Sequence, residues 1–219
     1  NERDWYVQSY KQVKNHSKYA DRAPYKPFIA TYVNKNLPAV DGEGNLTLIH
    51  RNAKDGTKML ELLAGFYRLV CSNGLIIGYD LFEPIRVKHI GDVPKQLDDV
   101  VSKLLDVMPG VYTTIKNMKE VVLTCDQQVE FAQKAIETRF DGQKYVVDPQ
   151  DVLSVRREAD NKSDLWTVFN RCQENLIKAE GLIMTTKDSK KRKAKAITNI
   201  DLTFKINTGL WTQAASYLQ

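Results

Sequence analysis

The stretch Gly65-Phe66-Tyr67-Arg68-Leu69-Val70-Cys71-Ser72-Asn73-Gly74-Leu75-Ile76-Ile77-Gly78 decides how the chain is read. It is the longest apolar run in a polar sequence, the pattern of a buried strand. One arginine, one cysteine and an Asn-Gly pair interrupt it, and polar groups in such a run require partners. Asn73-Gly74 supplies the positive φ that a tight turn needs. The run therefore reads as a central strand, a turn and the start of the next strand.

Working outward, Phe28 to Val33 is β-branched and aromatic and predicts a strand. Leu46 to His50 predicts its antiparallel partner, across a turn at Asp41–Asn45. Asp55-Gly56 marks a second turn, and Lys58 to Val70 follows as a long strand with a bulge at Ala64-Gly65. Trp5-Tyr6-Val7 with Tyr10 predicts a short edge strand. Past the central run, Leu75–Gly78 and Pro84–His89 continue the sheet. Ile85, Val87 and His89 fall on one face and Arg86 and Lys88 on the other. The expected sheet thus has one covered face and one wet, partly cationic face.

After Gly91 the period changes. Leu97, Val100, Val101, Leu104, Leu105 and Met108 form a helical stripe that continues in phase through Val111, Ile115, Met118 and Val122. Pro109-Gly110 in its middle predicts either a kink or a junction of two helices. Thr124 or Asp126 caps the next helix, with Val129, Ala132, Ile136 and Phe140 aligned. Asp148-Pro149 opens a short helix to about Val155, and Arg156–Lys162 reads as a charged linker. Ser163 caps a helix to about Ala179, with Leu165, Val168, Phe169, Cys172 and Leu176 inward. A final helix from about Asp201 buries Leu210, Trp211, Ala214 and Leu218. Strands first and helices second mean an α+β fold: a mostly antiparallel N-terminal sheet followed by a C-terminal helical region packed on it. Residues 1–91 are its β-rich half and 92–219 its helical half, within one structural domain.

Composition narrows the function. Of 219 residues, 42% are hydrophobic and 27% charged, a globular balance. Three widely spaced cysteines, Cys71, Cys125 and Cys172, make no disulfide framework and fit a reducing compartment. No apolar run approaches the ~20 residues of a membrane span, and polar Asn1–Trp5 is not a signal peptide. The expectation is a cytoplasmic protein with no membrane partner. With no initiator Met, the chain reads as a fragment or as one with a disordered start. The net charge is +5, and Lys187–Lys195 carries six basic residues and one acidic, which is the whole excess. The basic character is local.

The motifs also carry a resemblance. Asp55-Gly56-Thr57, then Gly65-x-x-Arg68-Leu69-Val70-Cys71-Ser72-Asn73-Gly74-Leu75, then His89-x-Gly91 resemble a phage/plasmid-like family, a domain of unknown function. So do Trp166-x-x-Phe169-Asn170-x-x-Gln173-Glu174-Asn175-Leu176 and the closing Asn207-x-x-Leu210-Trp211. The resemblance spans roughly residues 46 to 219. It implies an origin on a mobile element and brings no catalytic residues. The chain departs from the family pattern after Leu176. A Gly-Gly pair is usual there, and this chain has Ala179-Glu180-Gly181. The family's N-terminal portion is also short or absent here.

Several constellations carry two readings each. Arg68 either clamps a phosphate beside the Asn73-Gly74 turn or pairs with an acidic neighbour inside the sheet. Cys71 is either a small core residue or a nucleophile with His89 as its base. His50, Asp55 and His89 would be the ligands of a nuclease metal, although no ligand spacing joins them. Asn170, Gln173, Glu174 and Ile177 share a helix face that either reads a ligand or ties the helix to the sheet. Lys187, Lys190, Lys191, Arg192, Lys193 and Lys195 form a basic loop of the density that binds phosphate backbones, or a solvated loop. Arg86, Lys88 and Arg68 join it as candidate nucleic-acid contacts, with aromatic residues of the sheet available to stack bases. No nucleotide-binding or hydrolase signature occurs, so no catalytic residue, cofactor or metal is assigned and an enzyme is disfavoured. The lead expectation is a nucleic-acid-binding accessory protein, a single-strand-binding or annealing protein that forms homo-oligomers. A non-enzymatic protein that blocks a host factor is the alternative, and a metal-dependent nuclease the third.

Overall fold

The computed structural model describes residues 5–12, 28–34, 44–52, 60–68, 74–76, 85–87 and 91–219. It is α+β, with an antiparallel sheet followed by helices and a second, small sheet. The chain divides into two compact units, Asn1–Pro109 and Gly110–Gln219.

Among the described residues the first unit carries six strands: β1 (Trp5–Gln12), β2 (Phe28–Asn34), β3 (Gly44–Asn52), β4 (Leu60–Arg68), β5 (Gly74–Ile76) and β6 (Ile85–Val87). All pairings are antiparallel, in the order β1-β2-β3-β4-β5, with β6 also on β4. The opening stretch of the sequence supplies the second half of β4 and then β5, and Gly65–Tyr67 pairs with Gly74–Ile76. β4 is central, as its apolar run demands. The expected bulge at Ala64-Gly65 is absent from the β3–β4 ladder, which runs unbroken from Gly44↔Arg68 to Arg51↔Glu61. On its other side β4 changes partner there, from β6 at residues 60–62 to β5 at 65–67. The sheet's irregularity lies in β1, between Val7 and Ser9.

Where side chains are described, the face expected to be wet and cationic also buries residues. Ala30, Leu48, Leu60 and Leu62 are buried on one face, and Val33, Thr47, Ile49 and Glu61 on the other. Glu61 has an arginine partner on that second face. Its Oε2 accepts from Nε of Arg51 at 2.5 Å, and Arg86 stands in register with it on β6. The bond from Arg51 spares this buried carboxylate the cost of an unpaired charge.

Helix α1 (Val93–Glu120) runs without interruption through Pro109. The sequence offered a kink or a junction of two helices there, and the helix is one element. Along its C-terminal stripe Met108, Val111, Ile115 and Met118 are buried. The phase ends there. Val122 is exposed and makes an isolated bridge with Asp164.

In the second unit, α2 (Cys125–Arg139) starts on a capping box between Thr124 and Gln127. Its inward face is Phe131, Ala132 and Ala135, so of the predicted row Val129, Ala132, Ile136 and Phe140 only Ala132 and Phe140 are buried. The sheet of β7 (Tyr145–Val147), β8 (Ile183–Thr186) and β9 (Lys191–Lys193) is antiparallel in that order. The short α3 (Pro149–Val152) is capped by Asp148, with Pro149 at its first turn. Asp164, one residue after the predicted Ser163, caps α4 (Leu165–Lys178) by accepting from the Thr167 N–H at 2.9 Å. Asn199 caps α5 (Ile200–Ala215), which buries Leu210, Trp211 and Ala214, while Leu218 is half-buried in the terminal 3-10 turn.

All twelve residues of α4 from Leu165 to Leu176 are buried, so it is the core of this unit and not a surface helix with one apolar stripe. It packs against α2, α3 and α5. Among the described residues, no helix is long and apolar enough to cross a membrane.

Candidate functional site

Lys187–Lys195 is not a loop. Thr186 N–H donates to Lys190 O at 3.0 Å and Ser189 N–H to Thr186 O at 2.9 Å. These bonds close a three-residue hairpin turn in which Ser189 takes φ +58°. A turn followed by a left-handed residue is the ordinary form of such a loop. Propensity hid the hairpin, because Lys191-Arg192-Lys193 has none of the apolar alternation that announces a strand.

Pairing with β8 fixes where the cations point. The register Ile183↔Lys193, Met184↔Arg192, Thr185↔Lys191 puts Lys191 and Lys193 on the face that also carries exposed Val146. Arg192 shares the opposite side with Met184 and buried Val147. Lys191 and Lys193 are two residues apart on one side, about 6.6 Å along the strand. β9 has β8 as its only neighbour among the described residues, and Lys187, Lys190, Lys191, Arg192, Lys193 and Lys195 are all exposed. Lys187 acts on an acid outside the hairpin. The Asp141 carboxyl is held below its usual range by the hydrogen bond from Lys144, then by the Gln143 amide, with Lys187 adding to the effect.

The base of the hairpin is fixed by groups the sequence did not single out. The guanidinium of Arg139 donates to the carbonyl oxygen of Leu176. It also donates to that of Lys195 at 2.5 Å and lies 4.8 Å from the centroid of the Phe140 ring. Burial lowers its pKa from the ordinary arginine value. Ala194 N–H donates to Leu182 O at 2.9 Å, and Ile197 N–H to Ile177 O at 2.8 Å. In the sequence Arg139 reads only as a basic residue suiting a helix C-terminus, since its partners lie 37 and 56 residues away.

The other predicted contacts lie in the first unit. Arg68 ends β4 opposite Gly44, and Arg86 stands beside Glu61. Lys88, Cys71, Asn73, Asp55 and His89 lie outside the described residues. His50 is half-buried, with its ring 5.1 Å from Phe28 and 6.3 Å from Tyr32. Among the described residues no group of three His, Cys, Asp or Glu is placed to hold a metal ion.

The polar motif of α4 is structural. Gln173 Nε2 donates to Asn207 Oδ1 on α5 at 3.0 Å. Asn175 Nδ2 donates to the carbonyls of Val152 and Ser154, each at 2.9 Å, while its Oδ1 accepts from Arg156 at 2.6 Å. Asn170 bonds back to Trp166 O at 2.6 Å. Glu174 accepts from Lys178 at 2.6 Å and from Arg157, which also donates to Asp160 at 2.8 Å. The amides hold the helix to α5 and the segment after α3. The charged linker is thereby a pair of arginine anchors. Trp166 stacks on Phe169 at 5.5 Å, and Phe169 meets Trp211 edge-on at 6.3 Å. The thiol of Cys172 is pushed up to about 12 by burial, although Arg171 pulls it down.

These motifs decide the kinship. The family model of a domain of unknown function, DUF932, matches residues 26–200. The chain belongs to the DUF932 family. The match confirms the domain of unknown function indicated by the motifs, over its own bounds. Two Escherichia coli K12 relatives, the UPF0380 proteins YafZ and YfjQ, are each 33% identical over 190 residues. Each alignment covers 84% of this chain and 69% of the relative. No solved structure matches this DUF932 chain.

Proposed function

We propose that this DUF932 protein binds the phosphate backbone of nucleic acid through the β8–β9 hairpin, as an accessory protein of phage or plasmid DNA metabolism. One observation carries the reading. The chain's whole charge excess stands on one exposed hairpin, anchored at its base by Arg139. Lysines and arginines so placed release counterions from a nucleic-acid strand without reading its bases. The mobile-element setting rests on the sequence resemblance.

The test is binding to labelled single- and double-stranded DNA over a salt series. On a single strand the logarithm of affinity falls by about 0.7 per decade of salt for each phosphate neutralised, and by about 0.9 on a duplex. Replacing Lys190, Lys191, Arg192 and Lys193 with Gln should flatten the slope by about that amount for each phosphate left without its cation. No binding at low salt, or a slope that the four replacements leave unchanged, sinks the proposal.

A second reading has its own observation. Among the described residues β1 has β2 as its only neighbour, and it exposes Tyr6, Val7 and Tyr10. An open apolar edge accepts a further strand from a protein partner, either a host protein or another copy of the chain. Association that survives nuclease and is lost on Val7→Lys would favour this reading over the first.

A further inference from the structure

The small sheet packs against the rest of the second unit by one side. Val147 is buried there, and on the same side the Tyr145 ring meets the Phe140 ring edge-on at 6.4 Å. Tyr145 is the one aromatic residue in the three strands. The other side faces outward. Val146 on β7, Thr185 on β8 and Lys191 on β9 stand in register across it, with Ile183 and Lys193 paired in the next row. Val146 is 69% exposed, and Lys191 and Lys193 are exposed with it. Charge on this side therefore runs along the outer strand β9, while Val146, Thr185 and Ile183 leave the other two strands uncharged.

From this pattern we infer that the nucleic acid held at the hairpin is duplex DNA, with the outward side of the small sheet in its major groove. The inference rests on the reading of the hairpin as a phosphate-binding site. Stacking argues against a single strand. Proteins that hold one without sequence preference lay its bases on aromatic side chains, and the outward side carries none. Width selects the groove. Strands lie about 4.8 Å apart, so the outer two of three stand about 10 Å apart. The major groove of B-DNA is about 12 Å wide and takes strands, whereas the minor groove, about 6 Å wide, is narrower than the sheet. Duplex RNA has a deep, narrow major groove that side chains cannot read. The charge pattern matches the same groove. Phosphates wall it, and its floor is base edges with thymine methyl groups among them. Lys191 and Lys193 on the outer strand meet the wall, and Val146 and Thr185 bring uncharged, methyl-bearing side chains to the floor. Arg192 stands on the opposite side of β9 with Met184 and points away from that floor.

The test uses the full chain and the fluorescence anisotropy of labelled probes of one sequence over one salt series: a short DNA duplex, one of its single strands, and the RNA duplex. The DNA duplex should bind about tenfold or more tighter than either of the others. Lys191→Gln and Lys193→Gln should each lower its salt slope by about 0.9, and Arg192→Gln should lower it by less. All three side chains are exposed, so the variants should keep the parent melting temperature. Methyl green, which occupies the major groove, should displace the protein, and netropsin, which occupies the minor groove, should not. A single strand or an RNA duplex bound as tightly as the DNA duplex overturns the inference while the phosphate site at the hairpin still stands. Displacement by netropsin alone, or a loss of slope at Arg192 as large as at the two lysines, overturns it in the same way. Absence of salt-dependent binding to every probe overturns the phosphate site and the inference together.

Discussion

Nη2 of Arg139 donates to the carbonyl oxygen of Lys195 at 2.5 Å, tying the end of α2 to the chain just beyond β9, 56 residues away. The same guanidinium holds Leu176 O in the last turn of α4. One side chain therefore joins two helices and the basic hairpin. Arg139→Ala should lower stability by about 1–3 kcal/mol, since two part-buried carbonyls lose their donor. Hydrogen exchange at Ile197 N–H, which bonds Ile177 O beside the clamp, should quicken. Unchanged exchange there would mean that Arg139 does not position the hairpin.

Among the described residues, two that are not glycine sit in left-handed backbone, Ala179 at φ +54° and Ser189 at φ +58°. A side chain there costs about 1–2 kcal/mol, and glycine returns part of the gain through the entropy of the unfolded chain. Ala179→Gly and Ser189→Gly should each raise stability by up to about 1 kcal/mol, measured by urea denaturation. Ala179 terminates α4, where the family pattern has its Gly-Gly pair. A loss of stability at both positions would remove strain as the explanation.

Gly209 in α5 has the opposite logic. A Cβ there would stand 2.8 Å from Cγ2 of Thr138 on α2. Alanine is normally worth about 1 kcal/mol over glycine inside a helix, yet Gly209→Ala should destabilise by about 1–2 kcal/mol through overpacking. Thr138→Ser removes the methyl and keeps a hydroxyl for Ala135 O. In that background Gly209→Ala should become neutral or stabilising. Additive effects in the double-mutant cycle would rule out the clash.

Glu174 gives the fold a pH dependence. Burial alone would raise its carboxyl, but Arg157 and Lys178 outweigh burial and hold it below the usual range. A folded pKa below the unfolded one stabilises the fold above the unfolded value, about 4.3, and that contribution is lost as pH falls toward the folded pKa. The melting temperature should drop below about pH 4.3, and Glu174→Gln should be less stable at pH 7 but lack that part of the acid-side fall. Parallel curves for the two proteins through the acid range would acquit Glu174.

The fold class was legible because β-branched runs and helical stripes each keep their own period. The β2–β3 pairing and the central place of β4 followed from turn residues and one apolar run. What stayed hidden depends on distance along the chain. Nothing near Arg139 or Arg157 announces partners 17 to 56 residues away. The strand at Lys191–Lys193 shows no alternation because all three of its side chains face water. The charge of the candidate site was legible; its geometry was not.

The burial of α4 on every side has a consequence for cooperativity. α2, α3 and α5 each cover part of one helix, so none of them closes a body without the others. A chain ending before Ile200 would leave Gln173 without Asn207 and Phe169 without Trp211. Residues 110–219 therefore gain or lose their shape in a single step, and a protease nicking the basic hairpin would find two fragments that hold together or none that survive.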